Sequence, residues 1–389
     1  MRTLGLFLFL VITIGLSSGS ITAQDSIAKN ALYFKLDNLN FVKNNEYFNN
    51  IADGYILIGA QLHPKLAFYP HPKAKLEIGV FGLTYSGLDG YQEAIPTFSF
   101  TYTLKNADLI LGTLRNEDSH KLIAPLMTSE SLLDKRRIEN GIQYVFSKNK
   151  FEVDTWINWE HFIFKGATQN EEFVMGLSAQ YNLLDKQKWK IDLPLQNLFY
   201  HRGGQINTDE IDDRNVFTIR HTAVGIQLKH QLRSDQNIEF SSFLMQHQST
   251  SNPEEFIFDS GNGFLSNIDY QYKNWKLGIG YWVGDQFVSP RGDDMFQSVS
   301  VKTDIHYENS ILQEVYAHHT ESKRSLFLGE ISYQKELVPN INLRFKFNSY
   351  FQNYASNPTP LENANLVVNQ FDYSLALSIF YHGYFNLNK

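Results

Sequence analysis

Between Thr97 and Leu104 the chain alternates strictly: Phe98, Phe100, Tyr102 and Leu104 are interleaved with Thr97, Ser99, Thr101 and Thr103. A period of two describes a strand with one apolar and one polar face. The same pattern returns at 151–160, where Phe151, Val153, Thr155, Ile157 and Trp159 oppose Glu152, Asp154, Trp156, Asn158 and Glu160. It recurs at 173–182, 341–348 and 371–381. Many of these runs reach about 10 residues, enough to cross a bilayer at a tilt, whereas strands of globular proteins most often have about five or six.

The connections alternate as well. Short ones fall near 69–73, 105–106, 147–150, 184–188, 234–237, 273–274, 308–310 and 338–340, and long ones near 38–53, 86–95, 116–137, 202–215, 249–262, 285–297 and 352–366. Short turns on one rim and long loops on the other characterise transmembrane barrels. The expected fold is therefore all-β, a transmembrane antiparallel β-barrel of about 16–18 strands occupying 24–389 as one unit. The count nearest the pattern is about eighteen, and losing the weakest hairpin, that of the first strand near 28–36, would leave about sixteen. Tyr270, Tyr272 and Trp275 flank one short turn, Phe146 and Phe151 another, Tyr181 and Trp189 a third. Such rings suit the headgroup level of the periplasmic side.

The N-terminal segment reads differently. Arg2 precedes the apolar stretch from Leu4 to Leu16, and small or polar residues run from Ser17 to Ala23. This is the grammar of a signal peptide over 1–23, cleaved after Ala23 or, alternatively, after Ser20. Beyond it no apolar run approaches the roughly 20 residues of a spanning helix. Composition agrees: of 389 residues 19% are charged, below the roughly 25% of soluble domains, while 30 are Phe and 21 are Tyr. The absence of Cys excludes disulfides and Cys-ligated metals, and a net charge of −7 gives no footprint for nucleic acid.

In these features the chain resembles the porin-like outer-membrane barrels of Gram-negative bacteria. Phe385, with the outward parity of Tyr381, Ile379 and Leu377, resembles the terminal aromatic read by the barrel-assembly machinery, although Asn386–Lys389 follow it. A count near eighteen is similar to maltoporin-type channels and one near sixteen to general porins. The resemblance implies a third external loop folded into the lumen, and 116–137 is third in order. That segment carries Leu122, Ile123, Leu126, Met127, Leu132 and Leu133, and Thr128 or Ser129 is placed to cap a short helix reaching about Lys135.

The expected function is a passive outer-membrane channel for small hydrophilic solutes such as saccharides, with no cofactor and no metal. Glu130, Asp134, Lys135, Arg136 and Arg137 are the candidate constriction, and Glu152, Asp154, Trp156, Asn158, Glu160, Lys302, Asp304, Arg344 and Lys346 the candidate lumen lining. Rings of charge filter solutes, and Trp156 offers a face for sugar stacking. Expected partners are outer-membrane lipid, the solute and the assembly machinery, with homo-oligomers compatible and nucleic acid excluded. The alternatives are a closed barrel binding surface polysaccharide or a partner through its loops, or a barrel hydrolase. The scan for Walker A, GxSxG, HExxH and Rossmann signatures is negative, so the expectation is that the chain is not an enzyme. His318–His319 and the acidic doublets Asp212–Asp213 and Asp293–Asp294 are weak metal candidates.

Overall fold

The computed structural model describes residues 29–164, 169–203, 216–250, 258–308, 311–316, 319–358 and 370–388. The expected signal peptide, Asp212–Asp213 and His318 lie outside the described residues. The strands are β1 (Ala31–Glu46), β2 (Tyr55–His71), β3 (Ala74–Tyr85), β4 (Glu93–Thr103), β5 (Ala107–Thr113), β6 (Asn140–Lys148), β7 (Phe151–His161), β8 (Glu171–Lys186) and β9 (Trp189–Gly203). They continue with β10 (Phe217–Arg233), β11 (Gln236–Ser249), β12 (Ser260–Tyr272), β13 (Trp275–Asp285), β14 (Thr303–Glu308), β15 (Ile311–Tyr316), β16 (Glu321–Val338), β17 (Ile341–Pro358) and β18 (Gln370–Asn386).

All except β14 and β15 form one closed antiparallel barrel of sixteen strands. Chain neighbours pair in order, and β1 closes the ring on β18 with Val42 opposite Leu377. Closure leaves no unpaired edge, the condition for a sheet to span lipid. β13 pairs directly with β16, Ile279 opposite Gly329, while β14 and β15 form a separate hairpin.

The strand that drops out is thus not the first. β14 and β15 have 6 residues each, below the roughly 9 to 11 that cross a bilayer. Lys302 and Asp304, expected on the barrel wall, belong instead to the long connection between β13 and β16. β1, expected to yield to a loop at Asn38, runs on to Glu46. Its asparagines imitate turn chemistry, but the strand is laddered on both sides, and the inward Lys43 ammonium donates to Glu130.

The alternation sorts the wall as the pleat requires. Phe98 is 55% exposed on the outer face while inward Thr101 is 4% exposed. Ile78, Leu244, Ile268 and Ile279 extend the outward apolar band around the ring. No helix among the described residues is long and apolar enough to cross a membrane; the crossing elements are strands.

Candidate functional site

The segment between β5 and β6 turns from the long-loop rim into the barrel. Ile123 N donates to Gln196 Oε1 and Gln196 Nε2 to Lys121 O, both at 3.0 Å. On the other side of the lumen Gln61 Nε2 donates to Leu132 O at 3.0 Å and the Tyr85 hydroxyl to Leu133 O at 3.3 Å. Gln196 on β9 and Gln61 on β2 point inward, so the segment bridges the lumen. The expected single helix is absent. Three 3-10 turns take its place, at Ser119–Lys121, Ser129–Leu133 and Lys135–Arg137. Thr128 Oγ1 accepts from Glu130 N at the start of the second, but Asp134 is extended and its carboxylate accepts from Arg136 N, which breaks the path.

A second segment, 286–300, enters from the rim between β13 and β16 and meets the first. Thr128 N donates to Arg291 O and Asp293 N to Ala124 O. Their apolar side chains fill the lumen: Leu126, Phe287, Met295 and Phe296 pack with wall residues Phe243 and Trp282. Leu122 and Met127 join Trp156, Val174, Leu198 and Ile219. The long-loop half of the barrel therefore has a protein-like core, a plug of its own loops.

One anchor of that plug carried no sequence signal. His120 lies against Trp156 with ring centroids 3.6 Å apart and planes at 7°. Its Nδ1 is 2.8 Å from Asp154 Oδ2 and its Nε2 2.6 Å from Glu139 Oε2. Burial lowers the affinity of the ring for a proton, but the hydrogen bonds to Asp154 and Glu139 outweigh it and raise the pKa to about 9. An imidazolium between two carboxylates is the result. The backbone around it is left-handed at Ser119, His120 and Lys121, φ 53°, 54° and 59°, unfavourable for residues with a Cβ. The buried ion network offsets that strain. Trp156 lies flat because β8 offers Gly176 opposite it, where a Cβ would sit 2.2 Å from the indole. With its face covered by His120, Trp156 is not a free sugar platform, contrary to expectation.

The other expected residues are placed as follows. Glu130 pairs with Lys43, and burial together with Asp293 and Asp294 pushes its pKa up to about 9. Asp294 is likewise raised to about 6 by burial and by Asp293. Asp134 holds Arg136 at 2.6 Å, Lys135 is 3.9 Å from Glu93, and Arg137 borders the remaining cavity. On β7, Glu152 meets Lys121 at 3.2 Å, Asn158 Oδ1 accepts from Asn140 N, and Glu160 pairs with Arg291, whose guanidinium lies 4.3 Å from the Tyr200 ring centre. Arg344 and Lys346 line the cavity, of about 580 Å³, with Asp37, His63, Lys276 and Glu330. Lys302 is in the loop, and the Asp304 side chain is outside the description. No group of three or more His, Cys, Asp or Glu suited to a metal ion occurs among the described residues.

The outer face carries a second cluster. On β9 and β10, Asn197, Phe199 and His201 point outward beside Thr218, Arg220 and Thr222. His201 Nδ1 is 2.7 Å from Thr218 Oγ1, and its ring packs on Phe173 at 4.9 Å. Asn197 Oδ1 accepts from Thr222 Oγ1 at 2.9 Å.

Comparison with known proteins decides the family. Residues 22–389 match the family described as lipid A 3'-O-deacylase-type. The chain belongs to that family. No curated protein matches it. In fold, this deacylase-type barrel is similar to a loop L8 deletion mutant of OmpT, an outer membrane protein of Vibrio cholerae, with TM-score 0.52 and 10% identity over 92% of this chain and 100% of that one. OprD of Pseudomonas aeruginosa gives TM-score 0.51 and 10% identity over 94% and 99%. OpdL of Pseudomonas aeruginosa gives TM-score 0.51 and 10% identity over 93% and 100%. The protein is thus an outer-membrane β-barrel in fold and a member of an enzyme family in sequence. The expectation that it is not an enzyme is overturned. Motif scans read contiguous spacings, and a barrel assembles its site from side chains on separate strands, so their silence carries no weight here.

Proposed function

We propose that this barrel is an outer-membrane acyl-ester hydrolase of the lipid A 3'-O-deacylase type. The family match over 22–389 carries the reading. An ester carbonyl in the outer leaflet is reached from the lipid-facing side or the rim, and there His201 and Thr218 supply an imidazole hydrogen-bonded to a hydroxyl. In the proposed reaction His201 takes a proton from the attacking hydroxyl or water, the acyl–oxygen bond breaks, and the sugar oxygen regains a proton. Net, one water is consumed, and a free fatty acid and a sugar hydroxyl are released. The test is mass spectrometry of lipid A from cells carrying the full chain, its His201→Gln variant or no barrel. Loss of one acyl chain with the full chain, and intact lipid A with the variant, is expected. Intact lipid A with a folded, outer-membrane-inserted wild-type barrel would refute the proposal.

The charged cavity bordered by Arg344 and Lys346 supports a second reading, passage of small hydrophilic solutes. It requires the loop plug to move, and planar-bilayer conductance of the intact protein separates it from the first.

A further inference from the structure

The outward face of the barrel is not uniform at the height of the outer leaflet. Trp189 stacks on His230 beside the short turns that join β8 to β9 and β10 to β11, at the periplasmic girdle. Arg220 lies ten residues up β10 from His230, about 25 Å along the membrane normal at a rise of roughly 3.3 Å per residue and a tilt of about 40°. That is the full height of an apolar barrel belt, about 25 Å. The same count from Ile341 on β17 and from Tyr381 on β18 ends at Phe351 and Phe371, 37% and 51% exposed. Lipid therefore meets phenylalanine on one side of the barrel and a guanidinium on the other.

The surroundings of Arg220 prepare it for an anion. Its described contacts are Asn197 Oδ1 at 3.4 Å and the Phe199 ring, with the guanidinium carbon 5.5 Å from the ring centre. Neither is a carboxylate. The outward ion pair at the end of β13 behaves differently, since Asp285 and Lys323 neutralise each other at 3.6 Å. A cation stacked on an aromatic ring at the edge of the hydrocarbon, with Thr222 and Asn197 fixed below it and the His201 and Thr218 pair one step above, keeps its forked N–H donors for a ligand. Guanidinium forks match phosphate bidentately.

We infer that Arg220 is the anchor of a binding site for the phosphate of an outer-leaflet phosphoglycolipid, with the acyl chains lying down the apolar face of β8–β10. The sugar phosphate rests on Arg220, two residues along β10 from Thr218 and so roughly 7 Å from the His201 pair, a separation that a phosphate and an acyl ester on one sugar can span. The inference deepens the proposed hydrolase reading, but it is read out by retention of lipid, not by turnover.

The test uses the full chain, delipidated in mild detergent and then offered bisphosphorylated lipid A or phosphatidylglycerol, with native mass spectrometry of what stays bound. Lipid A is expected to be retained by wild type and by Arg233→Gln at the opposite rim, and retained roughly tenfold less by Arg220→Gln, the loss of one charge-assisted pair. Arg220→Lys should recover part of the retention, because the charge returns without the fork. Undiminished lipid A on Arg220→Gln overturns the site. Equal, equally Arg220-dependent retention of phosphatidylglycerol overturns its assignment to a glycolipid. Arg220-dependent retention of lipid A that cells leave fully acylated would refute the hydrolase and leave the binding site standing.

Discussion

The two halves of the lumen are built on opposite principles although the same strands line both. In the long-loop half, loop residues 119–133 and 286–300 bury Leu126, Phe287, Met295 and Phe296 against the wall, with His120 held by Glu139 and Asp154 and Arg291 by Glu160. In the short-turn half the wall keeps its polar side chains around a cavity of about 580 Å³, with Lys276 and Lys346 sharing Glu330 at 3.2 and 3.1 Å. The difference teaches that wall composition does not decide whether a barrel conducts. An inward face of Thr, Ser, Gln and Glu serves a water-filled pore or a packed plug equally well, and the loops choose.

The largest expected effect comes from removing that choice. Deleting Ser119–Leu133 withdraws Leu122, Leu126 and Met127 from both apolar clusters and should convert a barrel of negligible conductance into an open one in planar bilayers. Unchanged conductance in a folded deletion variant would show that 286–300 seals the lumen alone. A graded effect is expected from pH. The pKa of His120 is raised to about 9 from an ordinary 6.5, so the stabilisation it gives is complete below about 6.5 and is lost as pH rises through about 9. Trp156 fluorescence should therefore change between pH 7 and pH 10, and His120→Gln should abolish that step. An identical step in the variant would release His120 from its role as the anchor. The smallest effect on stability is expected in the open half. Arg344→Gln with Lys346→Gln removes one partly exposed ion pair, should leave unfolding within about 1 kcal/mol of wild type and, in the deletion variant, should shift ion selectivity toward cations. A large loss of stability would mean that the lower lumen is a braced core and not a solvated vestibule.

The strand grammar was legible because lipid and lumen impose opposite demands on alternate residues, so Phe98, Phe100 and Tyr102 could be assigned outward and Ser99 and Thr101 inward before any coordinates. The apolar run from Leu122 to Leu133 was legible as misplaced in water for the same reason. His120 was not, since an imidazole announces its role only through Asp154, Glu139 and Trp156, which come from other parts of the chain. Nor was the outer patch: Asn197, His201, Thr218 and Arg220 fall on two strands on either side of a long connection, and only the register of β9 with β10 makes them one surface.

What the sequence determined by itself is therefore what depends on near neighbours along the chain: strand, face, turn and the number of crossing runs to within one hairpin. The tertiary structure alone decided which hairpin stays out of the wall, how the lumen is closed and where charge meets the outer leaflet. Each of those follows from contacts between residues far apart in sequence, whose energies depend on burial and pairing that no local pattern records.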